Sequence, residues 1–279
     1  MFQFCFEDNA NAVNDDRHLA LPQPGKRPPA YSLRALGRKN LPELVHASDG
    51  TPFHLTQTIK HDFWAATGFY QSPDGTRAVL KIGRTEPYAG IPLDWAGKFL
   101  CRRETRFYRA CADLPSIPPI LGPVGATGFL HAFVPGRPLA KDQFVPDTFF
   151  ADLHALLTEL HRRNIAYVDA NKPENILLGD DGKPHLIDFQ ISWDLHELGD
   201  NFLNRWWLRR LCDSDIYHLL KHKKRFRPDQ TTDDERTRIE QRGTLINLHR
   251  FLTRPYRKLR KHLFKRLKDS GRLLPEGSK

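Results

Sequence analysis

A chain of 279 residues can bury one large core or two lobes of ordinary size, and 39% hydrophobic with 11% aromatic content suits a globular protein. No apolar run approaches the roughly 18 residues of a membrane span, so a soluble or at most peripheral protein is expected. The net charge of +10 is unevenly spread: residues 1–220 hold 24 Lys/Arg against 26 Asp/Glu, while 221–279 hold 19 against 7, so the basic excess belongs to the tail.

The opening MFQFCFEDNANAVNDD carries acids where a signal peptide has basic residues, and no apolar core follows, which predicts a cytoplasmic rather than a secreted chain. Cys5, Cys101, Cys111 and Cys212 show no C-x-x-C spacing and predict reduced thiols rather than a disulfide framework. Residues 1–45, punctuated by Pro22, Pro24, Gly25, Pro28 and Pro29, predict extended, poorly ordered chain. Apolar, β-branched sequence from His54, a turn at Ser72-Pro73-Asp74-Gly75 and the run Arg77 to Gly83 predict a hairpin in an antiparallel sheet. Trp95 to Cys111 reads as a basic-rimmed helix carrying Glu104. Ile117–Ile120 and Gly128–Val134 read as further strands ended by Pro135-Gly136.

From Asp147, a plausible N-cap, the spacing of Phe150, Leu153, Leu156, Leu157 and Leu160 predicts an amphipathic helix stopping near Asn164. A second hairpin follows, from Asn175 through the turn Gly179–Gly182 to Asp188. A first lobe over 46–134, a second over 135–225 and a basic helical extension over 226–279 result. Paired Trp206 and Trp207 on a helix read as core. His154, His161 and His185 lack metal-ligand spacing and read as surface or core histidines.

The second hairpin places the outer ends of its strands side by side, so the oxygens of Asn175 and Asp188 converge. Magnesium accepts one or two such hard donors when phosphates supply the rest. Asp169, six residues before Asn175, adds a carboxylate able to orient a hydroxyl.

These residues resemble the catalytic elements of the protein-kinase-like superfamily. Asp169, Lys172-Pro-Glu-Asn175 and Asp188-Phe-Gln190 stand where its catalytic loop and metal-binding Asp-Phe-Gly stand. Upstream, Val79-Leu80-Lys81 is similar to the strand whose Lys holds the α- and β-phosphates, Glu104 to its helical partner, and Phe133-Val134-Pro-Gly136 to the adenine-binding hinge. The resemblance implies an α+β, two-lobed fold with a small antiparallel-sheet lobe and a mainly helical lobe, using ATP and Mg2+. It further implies Asp169 and Lys172 as catalytic residues, Asn175 and Asp188 as metal ligands, and Lys81, Glu104, Phe133 and Val134 around the nucleotide.

The sequence departs from the pattern in several places. The catalytic loop has one extra residue, no Gly-rich loop precedes Lys81 so that Lys60–Gly68 must cover the phosphates, Gln190 replaces Gly, and no A-P-E follows. With the peptide-docking apparatus missing, the chain looks most like RIO-type and lipopolysaccharide sugar kinases, which implies phosphate transfer to a protein hydroxyl or a glycolipid sugar. A catalytically weak pseudokinase acting as a nucleotide-binding scaffold is the alternative. In the tail, Tyr256, Leu259, Leu263, Phe264 and Leu267 share a helical face among basic residues over 256–268, which predicts attachment to an anionic membrane at its inner face. Nucleic acid is not expected, because the interleaved aromatic and Gly pattern of its binding modules is lacking.

Overall fold

The computed structural model describes residues 31–240 apart from 89, 141 and 142. The expectation of poorly ordered chain through 45 fails for its last third. Residues 31–43 lie along the first sheet, with Leu36 and Leu41 buried in its core, because these leucines are spaced to cover the apolar face of the strands that follow. Of the basic extension expected over 226–279, residues 226–240 are described and form a 3-10 turn, Pro228–Gln230, and a helix, Asp233–Glu240, whereas the helix expected over 256–268 lies outside the described residues.

The first lobe is a six-stranded, fully antiparallel sheet built from β1 (Leu44–His46), β2 (Pro52–His61), β3 (Ala65–Gln71), β4 (Arg77–Gly83), β5 (Ile120–Val124) and β6 (Gly128–Ala132), in the order β1-β2-β3-β4-β6-β5. The β3–β4 turn forms as expected, with Ser72 and Thr76 hydrogen-bonded across it and Gly75 at φ +89°, where a side chain would strain the backbone. Alternation along β4 sends Ala78 and Leu80 into the core with Tyr70, Phe53 and Leu130, and leaves Lys81 on the opposite face. α1 (Asp94–Ala110) packs on that face. Ile117–Pro119 is not strand, contrary to expectation; β5 starts at Ile120, since two consecutive prolines cannot donate to a ladder.

The second lobe carries β7 (Gly136–Pro138), α2 (Phe149–Arg162), β8 (Ile165–Ala166), β9 (Ile176–Gly179), β10 (Pro184–Leu186), β11 (Trp193–Asp194), α3 (Leu195–Leu198), α4 (Phe202–Phe226) and α5 (Asp233–Glu240). β10-β9-β7 form one small sheet and β11-β8 another. The apolar stripe of α2 is buried as its spacing predicts, against α4 and the β9–β10 hairpin. Asp147 does not cap it: Thr148 holds the cap position, and the Asp147 carboxylate lies 2.7 Å from Arg227 instead. Trp206 and Trp207 are likewise not core, being 48% and 45% exposed on α4. Cys101, Cys111 and Cys212 are free thiols, and no described helix is long and apolar enough to cross a membrane.

Candidate active site

Lys81 is delivered to the cleft by the β4 alternation and Glu104 by α1. The Lys81 ammonium lies 2.8 Å from Glu104 Oε1 and 2.8 Å from Asp188 Oδ1. One cation thus joins the upper lobe, its helix and the residue just past the β9–β10 hairpin. Burial opposes the Lys81 charge, but the two carboxylates outweigh it and hold its pKa above the ordinary lysine range. Glu104, 2% exposed, is pushed up to about 7 by burial against the pull of Lys81. Asp188 moves the other way: burial alone would raise its pKa, yet Lys81 at hydrogen-bond distance brings it below the usual carboxylate value.

The helix reaches Lys81 because its first turn touches β4 backbone to backbone. A Cβ at Gly97 would lie 2.1 Å from the Arg84 carbonyl oxygen, so only glycine allows this approach. Seven residues on, Glu104 arrives over Lys81.

The extra loop residue is absorbed by two successive 3-10 turns, Asp169–Asn171 and Pro173–Asn175, joined through an extended Lys172. The carboxylate and the amide still meet. Asp169 Oδ2 accepts from Asn175 Nδ2 at 2.7 Å and from Lys172 Nζ at 2.7 Å. The Ile187 N–H donates to the Asn175 carbonyl, which sets the backbone beside Asp188 against the loop. Asp188 itself sits at φ +63°, a conformation Asp tolerates better than most residues, and its N–H donates to the Tyr108 hydroxyl.

Sequence reasoning missed what holds this loop. Val168, just before Asp169, has φ +70° and ψ −39°, a strained state for a β-branched residue. Fully buried Asp215 on α4 over-determines it by accepting from the N–H groups of Tyr167 and Val168, each at 2.8 Å, with His161 Nε2 at 3.2 Å. The Ser192 hydroxyl donates to the Tyr167 carbonyl, and the Tyr167 hydroxyl to the Ile187 carbonyl. A lone Asp within a helix carries no sequence signal for such a role.

At the hinge, the Phe133 N–H is spent on the Arg77 carbonyl at 3.1 Å, and the Phe133 ring lies under the Arg77 guanidinium. Buried Val134 makes no backbone hydrogen bond among the described residues. A cavity of about 580 Å³ crosses the hinge between Arg77, Phe133, Phe144 and Leu178, and none of Lys81, Glu104, Asp169 or Asp188 lines it. The β2–β3 tip, expected to cover the phosphates, is stiffened by aromatic contacts. Buried Arg84 stands 3.9 Å over the Phe63 ring and donates to the Phe63 carbonyl, and Phe63 meets Trp64 and Tyr88 edge to face.

No protein-family model and no curated protein matches the chain. Among solved structures, it aligns with the Rio2 kinase of Chaetomium thermophilum in its ADP/Mg2+-phosphoaspartate complex at 17% identity, over 68% of this chain and 63% of that one, with a TM-score of 0.48. A second Rio2 kinase structure from the same organism aligns at 19% identity over 62% and 58%, TM-score 0.46, and the BubR1 kinase domain at 18% over 59% and 54%, TM-score 0.42. The aligned part therefore spans less than two thirds of each of those chains. With its antiparallel-sheet lobe, its Lys81–Glu104 pair and its helical lobe presenting Asp169, Asn175 and Asp188, the chain has the two-lobed, α+β architecture that the sequence resemblance implies.

Proposed function

We propose that the protein is a phosphotransferase that moves the γ-phosphate of ATP to an alcohol group, on a protein side chain or a glycolipid sugar. The observation that carries this reading is Lys81 at 2.8 Å from both Glu104 and Asp188, close to the joined pair Asp169–Asn175. Lys81 holds the α- and β-phosphates. The acceptor oxygen bonds to the γ-phosphorus as the bond to the bridging oxygen of ADP breaks, and the hydroxyl proton passes to Asp169. Because Oδ2 of Asp169 already accepts from Lys172 and Asn175, Oδ1 is the atom for that proton. Lys172, half exposed and reaching back over the loop, meets the transferred phosphate.

The donor set suits magnesium, which supplies charge neutralisation of the phosphates when bound. Asn175 gives its amide N–H to Asp169 and so has its oxygen left for a metal, and Asp188 is held anionic beside it. Among the described residues no group of three or more His, Cys, Asp or Glu gathers around one point, so phosphates must complete the coordination. Radiolabelled γ-phosphate transfer into a fractionated lysate tests the proposal: label entering protein or lipid supports it. Asp169→Asn should keep nucleotide affinity and lower the rate at saturating ATP by about 100-fold or more, since an amide cannot take the proton. Lost affinity with unchanged turnover would instead make Asp169 a nucleotide ligand.

One observation favours a pseudokinase scaffold as the second reading. The tip above the phosphates is an aromatic clamp around Arg84 rather than a glycine loop, which limits its closure over a nucleotide. Nucleotide binding without turnover in the same assay would select it.

A further inference from the structure

The first three turns of α4 carry an apolar face that no described element covers and that the phosphotransferase site does not use. Phe202 is 81% exposed, Leu203 71%, Trp206 48% and Trp207 45%, at i, i+1, i+4 and i+5. One turn on, Arg209 and Arg210 are exposed, and the Arg210 guanidinium lies 5.5 Å over the Trp206 ring. From Asn201 to Cys212 there is no acidic residue. The acids just before the stretch are all engaged by arginine: Asp200 by Arg205, Asp194 by Arg106, and Glu197 by Arg103 and Arg106. The patch is therefore apolar at its centre and cationic at its rim.

We propose that this face docks on an anionic lipid bilayer. Three features select a bilayer over other occupants. Phe202 and Leu203 protrude, which suits insertion into a soft planar boundary and not the seating of a partner helix in a groove. Paired tryptophans bring rings with an apolar body and an N–H donor, the composition favoured at the headgroup level. Arg209 has no carboxylate partner among the described residues, and its long stem lets the charge reach phosphate headgroups while the rings sink beside it. Two copies of the chain meeting through this face would oppose Arg209 and Arg210 of each, against which one exposed acid per copy, Asp213 at i+4 from Arg209, leaves a net positive charge on both sides. The patch also sits close to the chemistry. Trp206 and Trp207 precede Asp215, which anchors the catalytic loop, by about 12 Å along the same helix. Where the phosphotransferase reading holds, on which only this consequence rests, the acceptor is one presented at a membrane surface.

The experiment is co-sedimentation of the full chain with vesicles of phosphatidylcholine alone and with phosphatidylglycerol admixed, beside Trp206→Ser/Trp207→Ser and Phe202→Ser/Leu203→Ser. The expected result is binding to the anionic vesicles, weakened about tenfold or more by either pair while the thermal melt stays near that of the parent chain. Arg209→Gln/Arg210→Gln should weaken binding and flatten its fall with rising salt, since screening shortens to about 3 Å near 1 M. Asp188→Ala should bind vesicles like the parent, so that loss of transfer and loss of docking read separately. Equal vesicle binding by the parent and both serine pairs, no binding by the parent, or lipid-free dimerisation abolished by the serine pairs would each overturn the proposal.

Discussion

The two walls of the cleft are held by different forces. Below, the loop bearing Asp169 hangs on buried hydrogen bonds: the Asp215 carboxylate on two backbone N–H groups, the Ser192 and Tyr167 hydroxyls on carbonyls, His222 on the Ala170 carbonyl. Above, the β2–β3 tip is held chiefly by the Arg84 guanidinium over the Phe63 and Tyr88 rings, with fewer directional bonds, from Arg84 to the Phe63 carbonyl and from Arg34 to His61. Directional bonds in a low-dielectric interior fix positions tightly and penalise any missing partner. Ring contacts fill space and tolerate small shifts. The wall that must hold Asp169 in place is thus the wall built from bonds that cannot slide.

The largest expected effect lies where the walls meet. Asp188→Ala removes the carboxylate that Lys81 shares with Glu104, and phosphotransfer should fall by at least about 1,000-fold while the melt shows a folded chain. Parent-like turnover by a folded variant would separate Asp188 from the chemistry. Next comes the lower wall. Asp215→Ala leaves the N–H groups of Tyr167 and Val168 buried without an acceptor, at about 1–3 kcal/mol each, so urea unfolding should show a loss of roughly 2–6 kcal/mol. A loss under about 1 kcal/mol would mean that the loop's hydrogen bonds are not what supports Val168 in its strained conformation.

The upper wall gives a smaller effect. Gly97→Ala gains up to about 1 kcal/mol of helix propensity but drives a methyl into the Arg84 carbonyl, and overpacking at about 1–3 kcal/mol wins because the obstacle is backbone. The helix should move outward, Lys81 should lose Glu104, and turnover should drop about tenfold with nucleotide affinity less affected. An unchanged rate would show that the helix can shift without breaking the ion pair.

The same contrast governs what was legible in the sequence. Asn175 and Asp188 were readable from the hairpin that joins them and Asp169 from the loop before it, whereas Lys81, Glu104 and Lys172 were readable only through the resemblance to the protein-kinase-like superfamily; the structure brings all six together. The apolar stripe of α2 was readable from its period. Asp215, Gly97 and Arg84 were not, since each acts through a partner far away in sequence and none has a local pattern. The Asp147 cap failed because Arg227, 80 positions later, competes for the carboxylate. Trp206 and Trp207 were misread as core because periodicity shows which residues share a face but not whether another element covers it.

The smallest effect concerns the tip. The His61 ring is 9% exposed beside the Arg34 guanidinium, and burial first, then that positive charge, lowers its pKa from 6.5 to about 4. A histidine held neutral in the fold contributes stability that is whole above pH 6.5 and is lost as pH falls toward 4, because the unfolded chain takes up the proton first. The loss is at most about 3 kcal/mol, reduced by whatever relaxation lets the ring swing to water. Two groups complicate a single melt. Buried His131, also lowered to about 4, acts in the same direction, while Glu104, raised to about 7, gains stability as pH falls from 7 toward 4.5. Comparison with His61→Gln removes both, since they are common to the two chains. At neutral pH the parent should be the more stable, as the ring keeps its hydrogen bond from Arg34 and its packing. Toward pH 4 that advantage should shrink or reverse in urea unfolding midpoints. A difference constant over the whole range would mean that His61 does not titrate with folding, and that the tip is held by Arg84 and its rings alone.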